Sequence, residues 1–90
     1  MKIELRALCK GKVQGVFFRS AIKDYADKLK LVGYAQNLSD GSVLIKAIGE
    51  KQQLESFLEN IQKKPGFGKI EEIDISYVKP NEVYRNFSVL

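Results

Sequence analysis

A single cysteine, Cys9, and no histidine leave this chain without a covalent or metal staple. One thiol makes no internal disulfide, and zinc is held almost always by Cys and His ligands. At 90 residues a domain buries only about 60–65% of its unfolded surface, so a regular, well-packed apolar core has to hold it together. The same counts restrict the chemistry. A His-based triad or general base is excluded, and a metal centre would have to be built from carboxylates alone. Any catalysis falls to Arg, Lys, Asn, carboxylates or backbone amides. The lone thiol fits a reducing cytoplasm. The start, Met1-Lys2-Ile3-Glu4-Leu5-Arg6, alternates charge with hydrophobe, which signal peptides do not do. No apolar run approaches the roughly 20 residues of a membrane span, so no membrane partner is expected. With 44% apolar and 29% charged residues, disorder is excluded and residues 1–90 read as one domain.

Periodicity lays out the order of elements. Ile3, Leu5, Ala7 and Cys9 alternate with Glu4, Arg6 and Lys10 as in a half-buried strand. Leu8 breaks the alternation, which points to cover on both faces near that end. Gly11 to Phe17 reads as a loop. From Phe18 the period turns helical, with Phe18, Ile22, Tyr25, Ala26 and Leu29 three or four apart and Gly33 as the stop. Gly33 to Leu38 and Ser42 to Ile48 flank Ser39-Asp40-Gly41, a hairpin signal because Gly accepts the positive φ of the turn. A second helix is predicted over 51–63, with Leu54, Phe57, Leu58 and Ile61 on one face. Pro65-Gly66-Phe67-Gly68 breaks it; Ile73, Ile75 and Tyr77 form another strand, and Phe87 to Leu90 a short terminal one. The order β-α-β-β-α-β, with a possible fifth strand, predicts an α+β ferredoxin-like (split βαβ) sandwich: an antiparallel four- to five-stranded sheet with both helices on one face. Many functions share that fold, so function has to be read from a site.

The positive charge is uneven. Residues 1–30 hold eight bases and three acids, a net of +5, and residues 31–90 hold seven and eight, a net of −1, giving the overall +4. That field suits an anionic ligand or a nucleic acid, and equally a surface that is basic only for solubility. Within the basic third lies Gly11-Lys12-Val13-Gln14-Gly15-Val16-Phe17-Phe18-Arg19, where strand gives way to helix. Free N–H groups at a helix start, backed by the helix dipole, favour an anion, and Gly15 has no side chain to keep one away. The P-loop pattern is missing, so no nucleotide is implied. Arg19 stands in the first helical turn, against the dipole, at a cost of about 0.3–1 kcal/mol when exposed. Its planar guanidinium beside converging amides would hold a phosphoryl group. Taken alone, though, it reads first as a surface arginine paired with a carboxylate. In a split βαβ topology the first two strands run parallel without being neighbours, so Asn37, at the end of the second, faces the same sheet edge as Arg19. A carboxamide there would hold a water beside a bound anion. Without Arg19 nearby, capping of the Ser39-Asp40-Gly41 hairpin would be the better reading of Asn37.

Two segments, Gly11-Lys12-Val13-Gln14-Gly15-Val16-Phe17-Phe18-Arg19 and Gly33-Tyr34-Ala35-Gln36-Asn37-Leu38-Ser39-Asp40-Gly41-Ser42-Val43, resemble the two signatures of the acylphosphatase family. The resemblance extends over essentially the whole chain. It implies hydrolysis of the carboxyl–phosphate bond of acyl phosphates to a carboxylate and inorganic phosphate, without metal or cofactor. It further implies that Arg19, with the main-chain amides of Gln14, Gly15, Val16, Phe17 and Phe18, binds the phosphate, and that Asn37 positions the attacking water. The implied partners are a small-molecule acyl phosphate and inorganic phosphate as product and inhibitor, with no nucleic acid. A monomer is the expected state, since no heptad or long apolar surface is apparent. The chain departs from the family at Ile22 and Leu38, where relatives often carry Thr, at Tyr34 in place of Trp, and at Leu90 in place of Tyr.

Physical chemistry agrees with this reading. A carboxylate leaves readily without a His-type acid, and phosphoryl transfer asks chiefly for positioning and charge stabilisation. Val16, Phe17 and Phe18 would wall the site from water. A cysteine phosphatase is excluded because nine residues separate Cys9 from Arg19 and Cys9 sits within a strand. An RNA-recognition module is the main rival. Gly66-Phe67-Gly68 only superficially matches its aromatic signature, with Lys69 in place of a stacking aromatic and a loop in place of the third strand. Phe67 is expected to cover the core from that loop. An inactive regulatory domain is disfavoured by the presence of both Arg19 and Asn37.

Overall fold

The first strand, β1 (Lys2–Lys12), runs two residues further than its alternation predicts. Gly11 and Lys12 stay in the sheet because β4 (Lys69–Val78) starts early and pairs with them, after a register shift at Lys10/Gly11. The computed structural model describes residues 1–90. Between these strands come α1 (Phe18–Lys28), β2 (Val32–Asn37), β3 (Val43–Glu50) and α2 (Lys51–Lys63); β5 (Phe87–Val89) ends the chain. The strand order is β4-β1-β3-β2-β5. The contacts β1/β3, β1/β4 and β2/β3 are antiparallel, as expected, whereas β5 lies parallel to β2. The sheet is therefore mixed, which corrects the wholly antiparallel expectation. The cause is the segment 79–86: it carries the chain from one edge of the sheet to the other, and so brings β5 in beside β2 in the same direction.

One face of the sheet is covered by both helices. Leu5, Ala7 and Cys9 of β1, Ala35 of β2, and Val43, Ile45 and Ala47 of β3 meet Phe18, Ile22 and Ala26 of α1 and Leu54, Phe57 and Ile61 of α2 in one buried cluster. These are the helical positions that the three-to-four spacing marks, and burying each large side chain contributes about 1.5–3 kcal/mol. Phe87 joins the cluster and meets the Phe57 ring with centroids 6.2 Å apart. That seats β5 on the core. Lys23 of α1 also holds β5, donating to the Phe87 carbonyl at 3.0 Å. α2 opens with a capping box, in which the Glu50 N–H donates to Gln53 Oε1 at 2.9 Å.

Segment 79–86 crosses the other face. Arg6, Lys46 and Tyr34 stand in one row across the three central strands. Above them Glu82 pairs with Lys46 at 3.0 Å, and Tyr84 meets Tyr34 edge-on at 6.0 Å. Glu4, which the alternation places outside, is fully buried on this face and pairs with Arg6 at 2.6 Å. Its register partners Ile48 and Val78 flank it. Cover on the second face thus lies at the start of β1 and not at the Leu8 end.

Candidate active site

Strand β1 releases the chain at Lys12, and α1 begins after five intervening residues. Phe17 caps the helix without a side-chain hydrogen bond, with φ 60° and ψ 21°. A left-handed backbone is unfavourable for a bulky residue and persists only where its surroundings enforce it. They do so from the loop between α2 and β4. The Phe67 N–H donates to the Val16 carbonyl at 2.9 Å, and a Cβ on Gly66 would come within 2.7 Å of the Phe17 carbonyl oxygen and 2.9 Å of that of Val16. Only a glycine lets the two loops approach so closely.

The first intrahelical bond of this turn runs from the Ala21 N–H to the Phe17 carbonyl, at 3.1 Å. The N–H groups of Phe18, Arg19 and Ser20 precede it and have no intrahelical acceptor. They border a cavity of about 300 Å³ lined by Val13, Gly15, Phe17, Phe18, Arg19, Ser20 and Val89. A Cβ on Gly15 would meet nothing within 4 Å, so its backbone is open to a ligand. No acid stands in the first turn of α1. The turn therefore presents the positive end of the helix dipole and one guanidinium with no acid in the same turn.

No Asp or Glu side chain pairs with Arg19. Its Nη1 donates to the main-chain oxygen of Leu90, whose own N–H donates to the Ala35 carbonyl at 2.8 Å. The guanidinium is thus aimed by the backbone of Leu90, and no Asp or Glu side chain is its partner. The sequence assigns no site role to Val13, Ser20, Val89 or Leu90. Ser20 was within reach, because the residue after a first-turn arginine shares the exposed helix start. Leu90 was not, because no local pattern brings residue 90 to residue 19.

Of the three residues expected to wall the site, Phe17 and Phe18 line the cavity, Phe18 from within the core. Val16 packs against the core and beside Gly68 instead. Phe67, expected to cover the core, is 81% exposed and lies edge-on to Phe17, itself 69% exposed, with ring centroids 5.7 Å apart.

Asn37 does not line the cavity. It ends β2 opposite Val43, on the helix-bearing face by strand parity, and its Oδ1 is buried with no hydrogen-bond partner. A buried acceptor left unpaired costs about 1–3 kcal/mol, so this carbonyl has an unmet demand for a donor such as water. The turn that follows Asn37 is met by Gln14. The Gln14 side-chain amide donates both protons across the chain, to the Leu38 carbonyl at 2.8 Å and the Ser42 carbonyl at 2.9 Å. The segment carrying the amides is thereby tied to the turn that follows Asn37. The Asx interaction expected of that turn belongs to Asp40, which accepts from the Ser42 N–H at 3.0 Å and from the Ser42 hydroxyl. These bonds hold the Asp40 carboxyl below the usual carboxylate range.

Cys9 lies in the core, and burial pushes its thiol up to about 12. It is an inert apolar filler. No group of three or more carboxylate or thiol side chains gathers anywhere in the fold, and no helix is long and apolar enough to cross a membrane.

Known proteins match this geometry and sequence. The chain matches the family model Acylphosphatase over residues 5–89. It is 40% identical to an acylphosphatase of Dehalococcoides mccartyi over 86 residues, 94% of each chain. The crystal structure of acylphosphatase from Bacillus subtilis superposes with a TM-score of 0.93 at 35% identity, covering 98% of both chains. The structure of an acylphosphatase from Coxiella burnetii gives 0.89 at 30% identity, covering 99% of this chain and 93% of the other. With both signature segments in place and the whole architecture shared, the chain belongs to the acylphosphatase family.

Proposed function

We propose that Arg19 and the main-chain amides of residues 14–18 hold the phosphate of a small acyl phosphate, and that Asn37 positions the water that attacks it. The observation that carries the reading is the cavity at the start of α1, which Gly15, Phe17, Phe18 and Arg19 line, with the turn after Asn37 tied to the same segment. Arg19 is aimed there by Leu90, and Gln14 ties that turn to the segment that carries the amides.

The reaction asks little more of the protein. The water oxygen forms a bond to phosphorus, and the bond from phosphorus to the carboxyl oxygen breaks. The electron pair leaves with the carboxylate, and the water proton passes to a phosphate oxygen. A weakly basic leaving group needs no protein acid, and charge growing on the phosphoryl oxygens meets Arg19 and the helix dipole. The unpaired Asn37 Oδ1 accepts a hydrogen bond from the water and so turns its lone pair toward phosphorus. This reading has the enzyme acting without a cofactor, as a monomer, in the cytoplasm, where its lone thiol stays reduced.

Hydrolysis of benzoyl phosphate in the presence of EDTA tests it. The wild type is expected to turn the substrate over, with competitive inhibition by inorganic phosphate. Arg19→Ala is expected to lose about 10³-fold or more in kcat/KM, the scale of an arginine serving a phosphoryl group. A folded wild type that leaves benzoyl phosphate intact would falsify the reading.

A further inference from the structure

Two phenylalanines stand in water beside the cavity, and the fold explains neither. Phe17 and Phe67 are 69% and 81% exposed, and they touch each other edge-on with no core beneath them. Large aromatic side chains gain by burial, so leaving two of them outside has to be accounted for elsewhere. The pair is also rigidly built. Phe17 is held in a left-handed backbone conformation, and the Phe67 backbone is tied down from both sides. Its N–H donates to the Val16 carbonyl at 2.9 Å, and the next N–H, that of Gly68, donates to the Pro65 carbonyl at 3.0 Å. Gly66 fits against the Phe17 and Val16 carbonyls where no Cβ has room. Phe17 itself lines the cavity that Arg19 lines. Two separate loops are thus locked together, and the outcome is an aromatic rim on an anion site.

We infer that Phe17 and Phe67 form the acyl-group subsite, and that they select acyl phosphates whose acyl group is aromatic or extended and apolar. The inference rests on the acylphosphatase reading of the Arg19 cavity. With the phosphate at the helix start, the group attached to it leaves the cavity along Phe17. An edge-on pair leaves ring faces free. A planar or extended apolar acyl group covers them on binding, which removes apolar surface from water on both partners. An acetyl group is too short to reach Phe67.

The test compares kcat/KM for benzoyl phosphate with that for acetyl phosphate in the wild type, Phe67→Ala and Phe67→Trp. The change in the ratio is read, because the two leaving groups differ in intrinsic reactivity. Phe67→Ala is expected to lower the benzoyl-to-acetyl ratio about fivefold, mostly through KM for benzoyl phosphate, as the loss of one aromatic contact implies. Phe67→Trp is expected to keep or raise it. Thermal melts of both variants serve as the folding control, and the exposed loop position predicts midpoints close to the wild type. A ratio unmoved by both substitutions overturns the subsite while leaving acyl phosphate hydrolysis intact. A wild type that hydrolyses neither substrate overturns the activity, and the subsite with it.

Discussion

The segment from Val13 to Arg19 and the turn from Leu38 to Ser42 carry the two halves of the proposed site, and they are held in opposite ways. The turn closes on itself. Leu38 N–H donates to the Ser42 carbonyl at 2.8 Å, Gly41 N–H returns to the Leu38 carbonyl at 3.2 Å, and Asp40 binds Ser42. The segment does not close on itself. Its shape depends on Gly66 and Phe67 from the far side of α2, on Gln14 reaching residues 38 and 42, and on Leu90 meeting Arg19. A locally held turn survives the loss of distant contacts. A segment held from outside, with a left-handed Phe17 under strain, depends on each of its supports.

Gln14 is where the two meet, and removing it separates them most sharply. Gln14→Ala is expected to lower kcat by about 10- to 100-fold, since a displacement of about 1 Å at a positioned group costs that much. The competitive inhibition constant of phosphate should rise as kcat falls, because Gln14 is one of the supports of the amide segment, whereas the turn holds itself. Steady-state kinetics with phosphate as inhibitor reads both. A fall in kcat with phosphate affinity unchanged would show that Gln14 places the Asn37 turn and not the segment that holds the anion. Gln14→Glu adds a pH signature. A carboxylate faces two carbonyls unfavourably, whereas the protonated acid donates one bond, so its kcat relative to the wild type should rise as the pH falls.

A support further from the chemistry should matter next. Gly66→Ala puts a Cβ 2.7 Å from the Phe17 carbonyl oxygen at φ +63°. The left-handed conformation alone costs about 1–2 kcal/mol for a residue with a Cβ, and the clash adds to it. Activity is expected to fall about tenfold with a lower melting temperature. Unchanged kinetics beside a lowered melting temperature would mean that the loop contact supports the fold and not the site.

The turn should show the smallest effect. The Asp40 carboxyl is held below its ordinary range by the Ser42 hydroxyl and N–H, so the folded state binds the proton less well than the unfolded chain. The stabilisation is present above the unfolded carboxylate range, near pH 4, and is lost as the pH falls through the lower folded value. Asp40→Asn should therefore flatten the fall in stability on acidification below about pH 4 while activity near neutrality stays within about twofold. Thermal melts across that range read it.

The same contrast explains what was legible in the sequence. Both helices, the hairpin turn and the core positions Leu5, Ala7, Cys9, Ile22, Leu54 and Phe57 follow from period and punctuation, which are local signals. Arg19 stood out because it breaks a local rule about helix dipoles, and Asn37 because strand order sets its edge. What the sequence concealed lies between distant segments. The parallel β5, the burial of Glu4, the grip of Leu90 on Arg19 and the exposure of Phe67 beside Phe17 all depend on where residues 64–68 and 79–90 land. No periodicity in residues 79–86 says that they cross the second face of the sheet. The position of Lys46 and Tyr34 in one row on that face supplies the landing.

Binding of inorganic phosphate to the wild type, Arg19→Ala and Asn37→Ala, followed by titration calorimetry and paired with benzoyl phosphate turnover, tests the division of labour directly. Arg19→Ala should lose phosphate binding and turnover together. Asn37→Ala should bind phosphate as the wild type does and turn over about 10²- to 10³-fold more slowly, the scale of one lost positioning bond in the transition state. Loss of phosphate binding in Asn37→Ala equal to that in Arg19→Ala, or normal binding in Arg19→Ala, would contradict the account.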